Sequence, residues 1–223
     1  MPQSANAPTR VRRHFRDNAR AFDDLYEDER PLTRLLRPGL FRRRELAVRT
    51  VAARDSPRVL DVGCGSGRIG EHVVEAGAGR YLGIDFSEPM IQLARDRLER
   101  FGSRVSLLTA DFLTAELTGP YDVVIALGLF DYLPQPHLFT RRMFALCADG
   151  GCVVASFPRF SLVKGPTRQI RYEWLADCPI FNYSRRELEM LLGASGFGPL
   201  EITTRSSGHL VRAHRSQTPP DAG

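Results

Sequence analysis

Three carboxylates in this 223-residue chain stand beside short apolar runs, where they can act on one ligand. Asp61 lies in R-V-L-D-V, two residues ahead of Gly63; Asp85 closes Y-L-G-I-D; Asp111 follows V-S-L-L-T-A. A carboxylate ending a strand can accept hydrogen bonds from both hydroxyls of a sugar diol, at the cost of one buried charge. Between the first two carboxylates, Gly63, Gly65 and Gly67 bend the chain tightly and open a helix, whose unpaired N–H groups are expected to seat a polar or anionic ligand group. A fourth apolar run, Val123 to Leu127, leads into Asp131, Tyr132 and His137. These are the local candidates for accepting a proton or holding a second reactant, with Asp131 favoured for positioning because an ordinary carboxylate is a weak base.

Gly65, Gly67 and Gly70 also spell G-x-G-x-x-G, the spacing of a dinucleotide-binding turn. The fuller string, an apolar strand carrying Asp61 and then Gly63-x-Gly65-x-Gly67, resembles motif I of the class I S-adenosylmethionine (SAM) methyltransferases. In that family the acidic residue ending the second strand holds the ribose of SAM, a role the resemblance assigns to Asp85. Asp111 resembles the family's adenine contact, with Phe112 as its packing neighbour. The resemblance implies SAM as cofactor, bound by Asp61, Gly63, Cys64, Gly65, Gly67, Asp85, Phe86, Asp111, Phe112 and Leu127. Many small-molecule relatives have a histidine where Asp131 stands, so the catalytic base is left open among Asp131, Tyr132 and His137.

Residues of this kind must be held by a repeating strand–helix scaffold, and the chain supplies one. Strands are expected at Val59–Val62, Tyr81–Asp85, Val105–Leu108, Val123–Leu127 and Cys152–Phe157, with helices at Arg68–Ala76, Met90–Phe101 and His137–Ala148. Ser87 reads as a helix cap, and Ser184 with Glu187 as a capping box for Arg185–Ala194. Leu200–Thr204 and His209–Ala213 read as a closing hairpin. Such alternation implies a doubly wound α/β sheet. The resemblance, which covers about Val59 to Phe157, specifies a Rossmann-like fold of seven mostly parallel strands with an antiparallel last one. The ends are loosely similar to magnesium-protoporphyrin O-methyltransferase-like and ubiquinone-biosynthesis-like members.

Ahead of the first strand, residues 1–54 read as a polar start followed by a helical cap. Val11, Phe15, Ala19, Phe22 and Tyr26 recur at helical spacing, Pro31 opens a second helix, and Pro38-Gly39 interrupts it before a third at Leu40–Arg54. Residues 55–215 form the SAM-binding domain, 158–183 an inserted substrate lid, and 216–223 a polar tail.

The formal charge of +5 sits mainly at residues 10–54, with thirteen arginines against seven acidic residues. The run Arg42-Arg43-Arg44 reads as a solvated face. Lys164 is the sole lysine, so arginine richness reflects general usage and is weak evidence for nucleic acid. No Asn/Asp-Pro-Pro-Tyr string follows the fourth strand and no Pro-Cys pair stands there, which disfavours action on DNA bases. The four cysteines show no zinc-finger spacing, no metal-ligating cluster is apparent, and no apolar run is long enough to cross a bilayer. A cytoplasmic SAM-dependent methyltransferase acting through oxygen on a small molecule is the leading expectation. An NAD(P)-dependent oxidoreductase and an RNA-directed methyltransferase using the arginine-rich helices are the alternatives.

Overall fold

The computed structural model describes residues 23, 38–159, 181–205 and 208–216. The two helices expected ahead of residue 38 (Asp23 apart), most of the 158–183 lid and the tail beyond Ser216 lie outside the described residues.

Seven strands form one sheet: β1 (Arg58–Val62), β2 (Arg80–Asp85), β3 (Val105–Thr109), β4 (Tyr121–Ala126), β5 (Cys147–Phe157), β6 (Leu200–Arg205) and β7 (Gly208–His214). Their spatial order is β3-β2-β1-β4-β5-β7-β6. The first five run parallel, while β7 is antiparallel to both β5 and β6. The helices are α1 (Pro38–Ala52), α2 (Arg68–Glu75), α3 (Glu88–Leu98), α4 (Pro136–Leu146) and α5 (Arg185–Gly193).

Period-two alternation along the central strands divides the core in two. Val123 and Ile125 of β4 join Val59, Val73, Val74, Ala47 and Val51 on the side of α1 and α2. Val124 and Ala126 join Leu60, Val62, Met143, Leu188 and Leu192 on the side of α4 and α5. Covered on both faces, β4 must be apolar almost throughout, as its sequence is. The parallel order reverses at β1, which pairs with β2 on one side and β4 on the other. Such a switch point opens a crevice at the carboxyl ends of the strands.

Local chemistry explains where the elements begin and end. Pro38 and Gly39 are the first residues of α1, two residues ahead of the expected start at Leu40, and the fixed φ of proline suits a first turn that needs no N–H there. Ser87 occupies the N-cap of α3 yet makes no capping hydrogen bond; Pro89 in the first turn starts that helix. Residue 99 opens a short 3-10 segment, so α3 is shorter than its periodicity implies. At α5 the capping box forms in full, Ser184 accepting from the Glu187 backbone and Glu187 accepting from that of Ser184. The helix expected to run through Ala148 ends at Leu146, and the strand expected from Cys152 already begins at Cys147: Tyr121 pairs with Cys147, and an irregularity brings Val123 opposite Cys152.

Candidate functional site

At the switch point lies a cavity of about 360 Å³, within the size range of small-molecule sites. Strand ends β1, β2 and β4, the glycine bend and the first turn of α4 surround it. Asp61, Gly63, Cys64, Gly65, Asp85, Phe86, Asp111, Phe112, Leu127, Asp131 and Tyr132 all line it. Gly67 does not; at φ 77° it caps α2, and a Cβ there would lie 3.1 Å from that of Ala94 on α3. His137 does not line the cavity either. It is exposed in the first turn of α4, whose helical phase turns Phe139 inward instead.

The bend does not work as its sequence implies. Gly63 and Cys64 donate their N–H groups to the Ile84 carbonyl at 2.8 and 3.2 Å, and Gly67 donates to Cys64 O at 3.1 Å. The Gly65 N–H goes to Asp85 Oδ2 at 3.0 Å. These four donors are used inside the protein and are not free to cradle a phosphate. What the bend offers is proximity: a Cβ at Gly65 would touch nothing within 4 Å, leaving open space against the backbone.

Carboxylates dominate the polar lining. Asp85 accepts from Gly65 N and, through Oδ1, from Ser87 N at 2.9 Å. Each oxygen thereby keeps accepting capacity for a ligand hydroxyl. Burial pushes the Asp85 carboxyl above its ordinary value, against the lowering effect of those backbone amides. Asp61 is only 2 % exposed, and burial pushes it up to about 7, opposed by a hydrogen bond from Tyr81 and reinforced by the charge of Asp85. Asp111 Oδ1 accepts from Leu113 N at 2.9 Å, an Asx turn that fixes the start of the loop after β3. Phe112 packs against Phe139, with ring centroids 5.6 Å apart. Cys64 is a packing residue: its thiol is buried against Gly83 and burial raises it well above the ordinary thiol range.

Two cavity residues escape a reading of local sequence. Asp23, on the N-terminal side of the chain, reaches the bend: Arg68 donates to its Oδ1 at 2.7 Å, Arg97 to its Oδ2 at 3.0 Å, and the Ser66 hydroxyl also donates to it. Burial would raise this carboxyl, but those donors outweigh it and hold the group at about 2. Arg43, from the run expected to face solvent, lines the cavity beside Asp131. Only Arg42 of the three is exposed; Arg44 is within 2.9 Å of a His72 ring nitrogen and lies over the Phe41 ring. A helix turn distributes adjacent residues around its axis, so three consecutive arginines cannot share one face.

The residues present fit SAM. Buried carboxylates suit a ligand with diol hydroxyls and cationic groups, the open space at Gly65 admits close approach, and the acidic lining disfavours a pyrophosphate.

Residues 59–151 match the methyltransferase domain family. Over 109 residues the chain is 35% identical to the ubiquinone biosynthesis O-methyltransferase of Bordetella pertussis, covering 48% of this chain and 45% of that protein. The corresponding Leptothrix cholodnii protein is 36% identical over 110 residues, covering 48% and 46%. The chain thus spans about half the length of the curated relatives it matches. In overall fold it is similar to the magnesium protoporphyrin IX methyltransferase of Synechocystis PCC 6803, crystallised with S-adenosylhomocysteine (SAH). That match has a TM-score of 0.74 at 23% identity, over 94% of this chain and 100% of that one. It is also similar to the 1,6-didemethyltoxoflavin-N1-methyltransferase of Burkholderia thailandensis, with a TM-score of 0.72 at 18% identity, over 98% and 92%. Residues 59–151 thus match a methyltransferase domain, and the chain shares its fold, down to a seven-stranded sheet of order β3-β2-β1-β4-β5-β7-β6, with methyltransferases of known structure.

Proposed function

We propose that the protein is a SAM-dependent methyltransferase for a small-molecule acceptor, with oxygen as the methylated atom. The observation that carries the reading is the pairing of an acidic cavity with a bend whose Gly63, Cys64, Gly65 and Gly67 N–H groups are already used. An NAD(P) enzyme needs the opposite, free donors facing a pyrophosphate. The O-methyltransferase names of the curated relatives support oxygen.

In this reading Asp85 accepts from the ribose hydroxyls, while Asp111, Phe112 and Leu127 enclose the adenine. Asp61, Gly63, Gly65 and Phe86 hold the remainder. Bound SAM supplies a methyl group on a sulfonium, which leaves as a neutral thioether. The chain's own task is alignment and exclusion of water, for which the apolar walls of Leu129, Leu133 and Phe139 suit the acceptor end. Asp131, 4 % exposed, and Tyr132, 9 % exposed, are the groups there able to orient an acceptor hydroxyl. His137 stands outside the cavity and is given no part.

RNA as the acceptor is disfavoured by the arginine run, which turns Arg43 inward and ties Arg44 to His72. No helix among the described residues is long and apolar enough to cross a membrane. The buried, unpaired Cys64, Cys147 and Cys152 support residence in a reducing compartment, the cytoplasm.

Differential thermal stabilisation tests the proposal. At equal concentrations SAH is expected to raise the melting temperature and NADH to leave it unchanged. Stabilisation by NADH alone would overturn the reading.

A further inference from the structure

Two arginines line the cavity, and they differ in what holds them. Arg68 is bound to Asp23 at 2.7 Å and belongs to the bend. Arg43 reaches in from α1 with 19% of its side chain exposed, and its nearest charge is Asp131 Oδ2 at 4.0 Å. That separation is an ion pair without a hydrogen bond. Among the described residues Arg43 has no other polar partner.

The opposite wall makes room for this guanidinium. Gly128, just beyond the end of β4, has φ 80°, and a Cβ there would come within 3.3 Å of Arg43 Nη1. Its N–H is fixed by the Ser156 hydroxyl at 2.8 Å, so the wall is held in place. Leu129 and Leu133 give the cavity apolar lining as well. A guanidinium with five N–H donors, held in a cavity and facing one carboxylate beyond bonding distance, is, among the described residues, a cation short of acceptors.

We propose that Arg43 is the specificity-determining residue of the acceptor subsite and that it recognises a carboxylate on an otherwise apolar acceptor. The claim rests on the reading of this cavity as a methyltransferase site, and it names the class of acceptor. A planar guanidinium matches a carboxylate through two parallel N–H···O bonds, whereas a neutral amide can answer only one. Asp131 holds Arg43 in place and partly neutralises it, so shape and hydrogen bonding decide binding more than net charge does. Leu129 and Leu133 are placed to receive the apolar body of such an acid.

Ligand-observed NMR on the full chain loaded with SAH tests this, with benzoate and phenylacetate as probes and benzamide and phenylacetamide as their neutral counterparts. The expected result is saturable binding of the acids, at least about tenfold tighter than of the amides, that is about 1.4 kcal/mol. Arg43→Gln is expected to abolish that preference, and Asp131→Asn, which removes the competing carboxylate, to widen it. Calorimetry with SAH on the same samples is expected to give an unchanged affinity for Arg43→Gln. Equal binding of acids and amides by the wild-type chain, binding of neither, or an acid preference that survives Arg43→Gln would overturn the assignment. Failure of the wild-type chain to bind SAH would instead overturn the reading of the cavity beneath it.

Discussion

The Tyr81 hydroxyl donates to Asp61 Oδ2 at 2.8 Å, and this bond explains why residue 70 is glycine. A Cβ at Gly70 would lie 2.6 Å from the ring carbon Cζ of Tyr81. The third glycine of G-x-G-x-x-G therefore serves helix-to-strand packing: it lets α2 close over Tyr81 and keeps the hydroxyl aimed at a carboxylate on the neighbouring strand. Gly70→Ala is expected to displace Tyr81 and cost about 1–3 kcal/mol, the usual range for overpacking a filled core. Thermal unfolding checks the stability, and calorimetry with SAH should show weakened binding in the same variant.

Asp61 makes ligand binding depend on pH. Burial, the first and largest cause, pushes it to about 7, well above its ordinary 3.8. A carboxyl whose pKa is raised on folding favours the folded state fully below about pH 3.8 and loses that contribution as pH rises through 7. A cationic ligand favours the ionised form. SAM affinity is therefore expected to increase from about pH 6 to about pH 8, by at most about tenfold per pH unit. Asp61→Asn should flatten this profile and remove the matching fall in stability of the ligand-free protein. Titration calorimetry from about pH 6 to about pH 8 and melting curves from about pH 4 to about pH 7 measure the two effects.

Asp23 behaves in the opposite sense. Burial raises it, but hydrogen bonds from Arg68, Arg97 and Ser66 prevail and hold it at about 2. Its contribution is present above the ordinary value of 3.8 and is lost as pH falls from there through 2. Asp23→Asn is expected to lower the melting temperature at neutral pH and to flatten the acid limb of stability. Because the partners sit on the bend and α3, it should also weaken SAH binding several-fold, as read by calorimetry.

Asp85→Ala separates binding from folding. The substitution removes the acceptor for Gly65 N and Ser87 N together with the proposed ribose contact. SAH affinity is expected to fall by about 10- to 100-fold, or about 1.4–2.8 kcal/mol, with the far-ultraviolet circular dichroism spectrum retained. Unchanged affinity would remove Asp85 from the cofactor site.

Much of this site is written locally in the chain. Asp61, Asp85 and Asp111 are recognisable because each accompanies an apolar strand, and parallel strands bring their carboxyl ends to one edge of the sheet. Other features depend on distant partners. Asp23 looks like any helix-surface acid until Arg68 and Arg97 are folded against it. The N–H groups of the bend look available until the Ile84 carbonyl is found to take two of them. His137 is near Asp131 in sequence, yet the phase of α4 turns it outward. The inward turn of Arg43 did have a local signal, since Ala47 and Val51 follow it at helical spacing and are fully buried.

Everything proposed for this site requires that the acidic cavity at the β1–β4 switch point bind SAM. Isothermal titration of SAM into the full chain at neutral pH addresses it directly. Saturable one-to-one binding is expected, displaced by SAH and abolished or severely weakened by Asp85→Ala. A folded wild-type chain that gives no saturable binding, or equal binding by wild type and Asp85→Ala, would contradict it.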